Sequence, residues 1–204
     1  MAGSESLQRA WLSDVLEGTP SLVFFALWRS GVGLEIAGWI GAFLAACVLV
    51  GFSWAKMRFN PIMLGINLHL LMVTPLIVAV LALGFSDAGT FMTAHSYKAV
   101  MITICVVGCA LTIWGRGGFV GCPALPRMQA RFYSLVLVAA SIAATAWAFT
   151  ASGGALVSVA LPIMGLFALR RFLLARGLDE GGRVGGLAAA AGGASLAYDG
   201  SDDL

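Results

Sequence analysis

The chain has 204 residues, of which 60% are hydrophobic and only 11% are charged, and its formal net charge is +2. Soluble domains carry about 25% charged and about 45–50% apolar residues, and a water-soluble fold of this composition would have to expose much of its apolar surface. No Lys/Arg-rich face is present, which argues against a nucleic-acid-binding protein. The composition therefore predicts an all-α fold, a polytopic bundle of transmembrane helices whose main partner is the lipid bilayer.

The N-terminal segment, residues 1–30, contains a short apolar stretch at residues 18–28 that ends at Arg29. This stretch is shorter than the roughly 20 residues that cross a bilayer. A short sixth crossing, a re-entrant segment and a helix lying in the membrane interface are all compatible with it, and we favour partial insertion. Four residues before it have helical spacing and predict an amphipathic lead-in: Trp11, Leu12, Val15 and Leu16.

Five longer stretches predict complete crossings. The last uncharged run, residues 132–169, would measure about 57 Å as one helix at about 1.5 Å per residue, which is too long for one crossing. Ser152-Gly153-Gly154 interrupts this run and predicts a turn between two antiparallel helices. The predicted spans are residues 36–54, 61–86, 99–115, 132–151 and 155–175.

The basic residues alternate along the chain. The connections at residues 55–60 and 116–131 contain Lys or Arg, whereas those at residues 87–96 and 152–154 contain none. Positive residues collect in cytoplasmic loops. This alternation predicts that the two basic connections and the C-terminus are cytoplasmic.

The end of the chain differs in composition from the transmembrane domain, which we assign to residues 31–176. Residues 177–204 are rich in Gly, Ala and Asp and contain few large apolar side chains. Such a segment has little to bury, so it predicts a flexible cytoplasmic tail.

Two polar side chains, Asn67 and His69, interrupt the second span. At about 1.5 Å per residue, His69 lies about 12 Å from the cytoplasmic end of that helix. Polar groups at this depth are functional candidates, and they favour a proton-binding or ligand-binding site that lines a cavity. The alternative is that both residues form hydrogen bonds to neighbouring helices and hold the bundle together.

Glu35 precedes the first long span, on the predicted non-cytoplasmic side. A carboxylate at a helix N-terminus is stabilised by the backbone dipole, which accounts for this residue without a functional role. A salt bridge to Lys98 on the same side and a coupling carboxylate in a transporter are the other two interpretations.

The segment at residues 115–123, GRGGFVGCP, is rich in glycine and contains Arg116. Successive backbone N–H groups in such a loop, together with Arg116, would suit an anionic lipid headgroup or a phosphate. The segment lacks the GK[ST] ending of a P-loop and follows no strand. A turn at the membrane surface is the simpler interpretation.

The four cysteines form no recognisable cofactor motif. Cys105 and Cys109 share a helix face and would offer two ligands to a soft metal, with Cys47 and His69 as conceivable partners. No CxxC motif and no His/carboxylate cluster supports such a site, so we expect no metal and no cofactor. No Ser/His/Asp grouping or pair of carboxylates indicates catalysis, so we also expect no enzyme activity.

Three features carry a resemblance to a known family. They are the opening TPSLVFFALW, the alanine-rich span IAGWIGAFLAACVLVGFSW followed by KMR, and a later span that ends in an aromatic residue before a cytoplasmic loop. Residues 18–60 resemble the bacterial intracellular septation protein A family. The resemblance implies a small polytopic inner-membrane protein linked to cell-envelope and division upkeep, with no established catalytic residue. The glycine loop and the Gly/Asp tail depart from that family.

Two functions follow from these patterns. The first is a non-enzymatic inner-membrane protein that acts by helix packing with a membrane-protein partner or in a homo-oligomer. Small residues along the last two spans favour close packing. The alternative is a small transporter or channel that uses Asn67 and His69, although no inverted repeat of the transporter type is visible.

Overall fold

The computed structural model describes residues 2–115, 117–122, 125–152 and 154–177, with side chains from Val15 onward. This part of the chain forms six helices and no strand, which confirms the predicted all-α fold. Most of the predicted tail lies outside the described residues. The helices are α1 (Ala2–Arg29), α2 (Leu34–Trp54), α3 (Pro61–Ala82), α4 (Ser86–Trp114), α5 (Arg127–Thr150) and α6 (Leu156–Gly177), the last of which opens with a π-helical turn, Leu156–Ala160.

Helices α2 to α6 are each long and apolar enough to cross a membrane, which confirms the five predicted spans. Only 28–33% of the residues in their apolar windows are buried inside the bundle. Large side chains such as Phe43 (68% exposed) and Val50 (69%) point outward. A surface of this kind is stable against acyl chains and not against water, so the bundle is a multi-pass membrane protein.

Several predicted helix boundaries are wrong, most clearly at the start of α4. Residues 87–96 were predicted as a loop, yet α4 begins at Ser86 and the connection from α3 shrinks to residues 83–85. Asp87 lies in the first turn of α4, where the helix dipole stabilises a carboxylate. Charged residues end the apolar part of a span, but they do not end the helix.

The start of α3 follows its sequence signals. Pro61 occupies the first turn, where its missing N–H costs nothing, and the Asn60 side chain caps the helix by accepting a hydrogen bond from the Ile62 N–H at 3.2 Å. The helix continues through Pro75 to Ala82. Helix α3 packs against α1, α2 and α4 and therefore occupies the centre of the first four helices.

The short apolar stretch at residues 18–28 forms the second half of the continuous helix α1. It lies along α2 and α3: Gly18 faces Met63, and Phe24 packs on Gly41. Helix α1 therefore runs antiparallel to α2. It is not among the helices that are long and apolar enough to span a membrane, so its partial insertion stays a prediction.

The connections predicted to share a side lie at one end of the bundle. Gly121 packs on Pro61 and on Arg170, which brings together the start of α3, the loop at residues 117–122 and the end of α6. We call this the basic end. Two highly exposed tryptophans lie there, Trp54 and Trp114. It carries Lys56, Arg58, Arg127, Arg131, Arg170, Arg171 and Arg176.

Candidate functional site

Asn67 connects α3 to α1. Its side chain is fully buried, and its amide nitrogen donates a hydrogen bond to the Glu17 backbone carbonyl at 3.0 Å. The amide oxygen is also buried and has no hydrogen-bond partner within the part of the chain that the structure describes. Asn67 therefore contributes one interhelical bond and retains one free acceptor.

Glu17 completes this connection, although it is not among the candidate residues predicted from the sequence. The side chain is only 2% exposed, and both carboxylate oxygens lie 3.1 Å from the backbone nitrogen of Asn60, which donates to them at the start of α3. A carboxylate beside a helix N-terminus is stabilised by the backbone dipole. A signal existed in the sequence, because Glu17 stands directly before an apolar stretch and would be costly to bury without partners.

His69 connects α3 to α4 instead. The ring is 8% exposed, and its Nδ1 lies 3.1 Å from the Thr103 Oγ1. Thr103 belongs to α4, so this contact holds α3 and α4 together.

Asn67 and His69 do not form one site. They are two residues apart on α3, and side chains at that spacing do not face each other. Asn67 accordingly bonds to α1, whereas His69 bonds to α4. Two features that are adjacent in the sequence therefore serve two separate helix contacts.

Glu35 lies away from both of these residues. It is exposed in the first turn of α2, at the end opposite the basic end, where the helix dipole stabilises a carboxylate. Glu35 and Lys98, which both lie in the described part of the chain, do not form an ion pair. The Lys98 Nζ lies instead 5.9 Å from the centroid of the Tyr97 ring.

The glycine loop, residues 117–122, forms a turn at the basic end, and its centre is buried in the bundle. Phe119 and Val120 are fully buried. The Phe119 ring covers Gly108 on α4 so closely that a Cβ atom at Gly108 would lie 2.6 Å from it. Glycine at position 108 is thus what allows the loop to fold back into the bundle.

Helices α5 and α6 hold the backbone of this loop. The Val120 N–H donates to Ser134 Oγ at 3.2 Å, and Ser134 Oγ donates to the Ala130 carbonyl at 2.6 Å. From α6, Arg170 Nε donates to the Val120 carbonyl at 3.0 Å. Both polar groups of the Val120 backbone are therefore satisfied inside the protein.

These contacts use N–H groups that an anion cradle in this loop would need. The N–H groups of Gly118, Val120 and Gly121 all donate to protein atoms, so they are not available to a ligand. Arg116, the predicted anion-binding side chain, lies outside the described residues. These three N–H groups therefore do not contribute to an anion cradle.

The cysteines are free thiols, and Cys47 is exposed on α2. No group of three or more His, Cys, Asp or Glu side chains comes together among the residues that the structure describes.

Comparison with protein-family models, with curated proteins and with solved structures gives no match to this chain.

Proposed function

We propose that this chain is a non-enzymatic, multi-pass protein of a bacterial inner membrane that acts by packing against another membrane protein or a second copy of itself. The observation that carries the non-enzymatic part of the proposal is that its deep polar groups bond to neighbouring helices of the same chain. Asn67 donates to α1, and His69 contacts Thr103 on α4. Their polarity serves helix association, the usual role of such groups in lipid.

The outer face of α5 is where we place the partner helix. Ala139, Ala143 and Ala146 are exposed there, and their spacing puts them on one side of the helix. Small side chains allow the backbones of two membrane helices to approach closely. Bulky side chains on a lipid-facing surface, such as Phe43 on α2, keep the backbone of a second helix further away.

The orientation and the biological setting belong to the same proposal. The clustering of Lys and Arg at the basic end supports a cytoplasmic location for that end and for the C-terminus. The resemblance of residues 18–60 to the intracellular septation protein A family supports a role in envelope or division upkeep.

Cysteine crosslinking in native membranes tests the packing proposal. In a background with the four native cysteines replaced by serine, Ala143→Cys is expected to give a disulfide-linked dimer or a larger adduct on oxidation. Leu76→Cys on α3 is the matched control, because Leu76 is 49% exposed and lies at a similar distance along its helix from the basic end. Equal crosslinking at both positions, or none at Ala143→Cys, would refute the proposal.

A small transporter or channel built on Asn67 and His69, with Glu35 as its outer carboxylate, is the second candidate. It is favoured by the buried Asn67 Oδ1, which has no partner within the described part of the chain and would accept a hydrogen bond from a ligand. In proteoliposomes that contain a pH-sensitive dye, this candidate requires a proton flux that His69→Ala abolishes. A flux that persists in the variant eliminates it.

A further inference from the structure

A cavity of about 220 Å³ opens at the basic end, between the end of α4 and the start of α5. One wall is formed by residues 112–115 and Gly118. The opposite wall is formed by Arg127, Ala130 and Arg131. The cavity is thus bounded on one side by the last turn of a membrane helix and on the other by a face of α5 that carries two arginines.

The two arginines lie four residues apart on α5, so they share one helix face. Both are exposed, and neither forms an ion pair or a side-chain hydrogen bond with any residue in the described part of the chain. Each guanidinium carries five N–H donors in a planar fork that suits phosphate oxygens. Arg170, by contrast, donates to the Val120 carbonyl. Arg127 and Arg131 are therefore available to an external anion.

The start of α5 adds to the positive potential of the cavity, and the carbonyl groups at the end of α4 offset part of it. The N-cap of α5 is Pro126, no side chain caps it, and its first turn holds Arg127 and no acidic residue. Cations are disfavoured at the positive end of a helix dipole, so an anion in the cavity would stabilise both the arginines and the helix start.

The position of the cavity indicates where this anion comes from. Trp114 and Ile113 are 81% and 67% exposed at its edge. Exposed tryptophans mark the boundary between hydrocarbon and headgroups, and basic pockets between membrane helices bind anionic headgroups. We propose that this cavity binds the phosphate group of an anionic phospholipid through Arg127 and Arg131. The proposal does not rest on the packing function.

Native mass spectrometry of the full chain in detergent tests the site. Wild-type protein is expected to retain phosphatidylglycerol in preference to phosphatidylcholine. The double variant Arg127→Gln/Arg131→Gln is expected to bind phosphatidylglycerol about tenfold more weakly or worse, since each charged hydrogen-bonding group contributes to affinity. Both side chains are exposed and bond to no described residue, so the unfolding temperature should stay unchanged.

Arg171→Gln is the matched control, because Arg171 is an exposed arginine at the same end that does not line the cavity. It should leave phosphatidylglycerol binding nearly unchanged. An equal loss in this control, or equal retention of the two lipids by wild-type protein, would overturn the proposal.

Inorganic phosphate tests whether the two arginines bind free phosphate from solution and not the phosphate group of a lipid. Displacement of phosphatidylglycerol from wild-type protein by phosphate would show a phosphate site open to solution and would overturn the assignment to a lipid. If the double variant fails to fold, Arg127→Gln and Arg131→Gln are tested singly. Each is then expected to lose about threefold in phosphatidylglycerol affinity, roughly half of the combined effect on a free-energy scale. No loss in either would refute the site.

Discussion

The polar contacts of α3 and the glycine loop connect helices by different means. On α3, Asn67 and His69 use side-chain hydrogen bonds to reach α1 and α4. In the loop at residues 117–122, a buried aromatic ring packs on Gly108, and the loop backbone itself bonds to α5 and α6. One region relies on polar side chains and the other on close backbone approach.

The difference shows how to interpret rare residues in an apolar chain. Without water to drive association, helices in lipid are held by tight packing and by interhelical hydrogen bonds. A lone polar side chain in a span then indicates which neighbour it bonds to, and a glycine indicates where another segment comes close. Unfolding experiments on the two regions separate these contributions, because their expected sizes differ.

The largest effect is expected from Phe119→Ala in the glycine loop. The fully buried ring would leave a cavity, at about 24 cal/mol per Å³ of residual volume. The loss of transfer free energy is smaller in lipid than in water. We expect a loss of about 2–3 kcal/mol in the free energy of unfolding in detergent micelles, measured by circular dichroism. Phe132→Ala is the control, because that ring is 63% exposed on α5. Similar losses for both would show that the loop contributes no packing.

A smaller loss is expected from Ser134→Ala, which removes the acceptor of the Val120 N–H. An unpaired buried donor costs about 1–3 kcal/mol. Because Arg170 still donates a hydrogen bond to the Val120 carbonyl, we expect the free energy of unfolding to fall by about 1–2 kcal/mol. Ser141→Ala is a close control. Ser141 is equally buried on the same helix, but within the described part of the chain its hydroxyl bonds only to the Val138 carbonyl of α5. If the two substitutions cost the same, the bond to the loop is not what Ser134 contributes.

The sequence predicted the framework of the fold because lipid imposes simple rules. Length and lack of charge located five spans, and Ser152-Gly153-Gly154 correctly divided the last uncharged run. The start of α4 was predicted incorrectly, because polarity shows where a helix leaves the membrane and not where its backbone hydrogen bonds end.

The candidate sites were predicted less well, because their partners are distant in the sequence. The pattern singled out Asn67 and His69, but it contained no information on the partners contributed by Glu17 and Thr103, which are 50 and 34 residues away. The glycine loop was recognised as unusual. Its burial depends on Gly108 and Ser134, and neither stands out in an apolar helix.

The smallest effect concerns the hydrogen bond between His69 and Thr103, and it tests the α3 side of the comparison. Interhelical side-chain bonds in membrane proteins average about 0.6 kcal/mol in double-mutant cycles. We expect a coupling energy of about that size from His69→Ala, Thr103→Ala and the double variant. Asn67→Ala combined with Thr103→Ala should show no coupling, because Asn67 bonds to α1.

A coupling of several kcal/mol for His69 and Thr103 would mean that polar contacts hold this bundle as strongly as the glycine loop does. Coupling between Asn67 and Thr103 would mean that α3 transmits changes from α1 to α4, and the two contacts would then form one site.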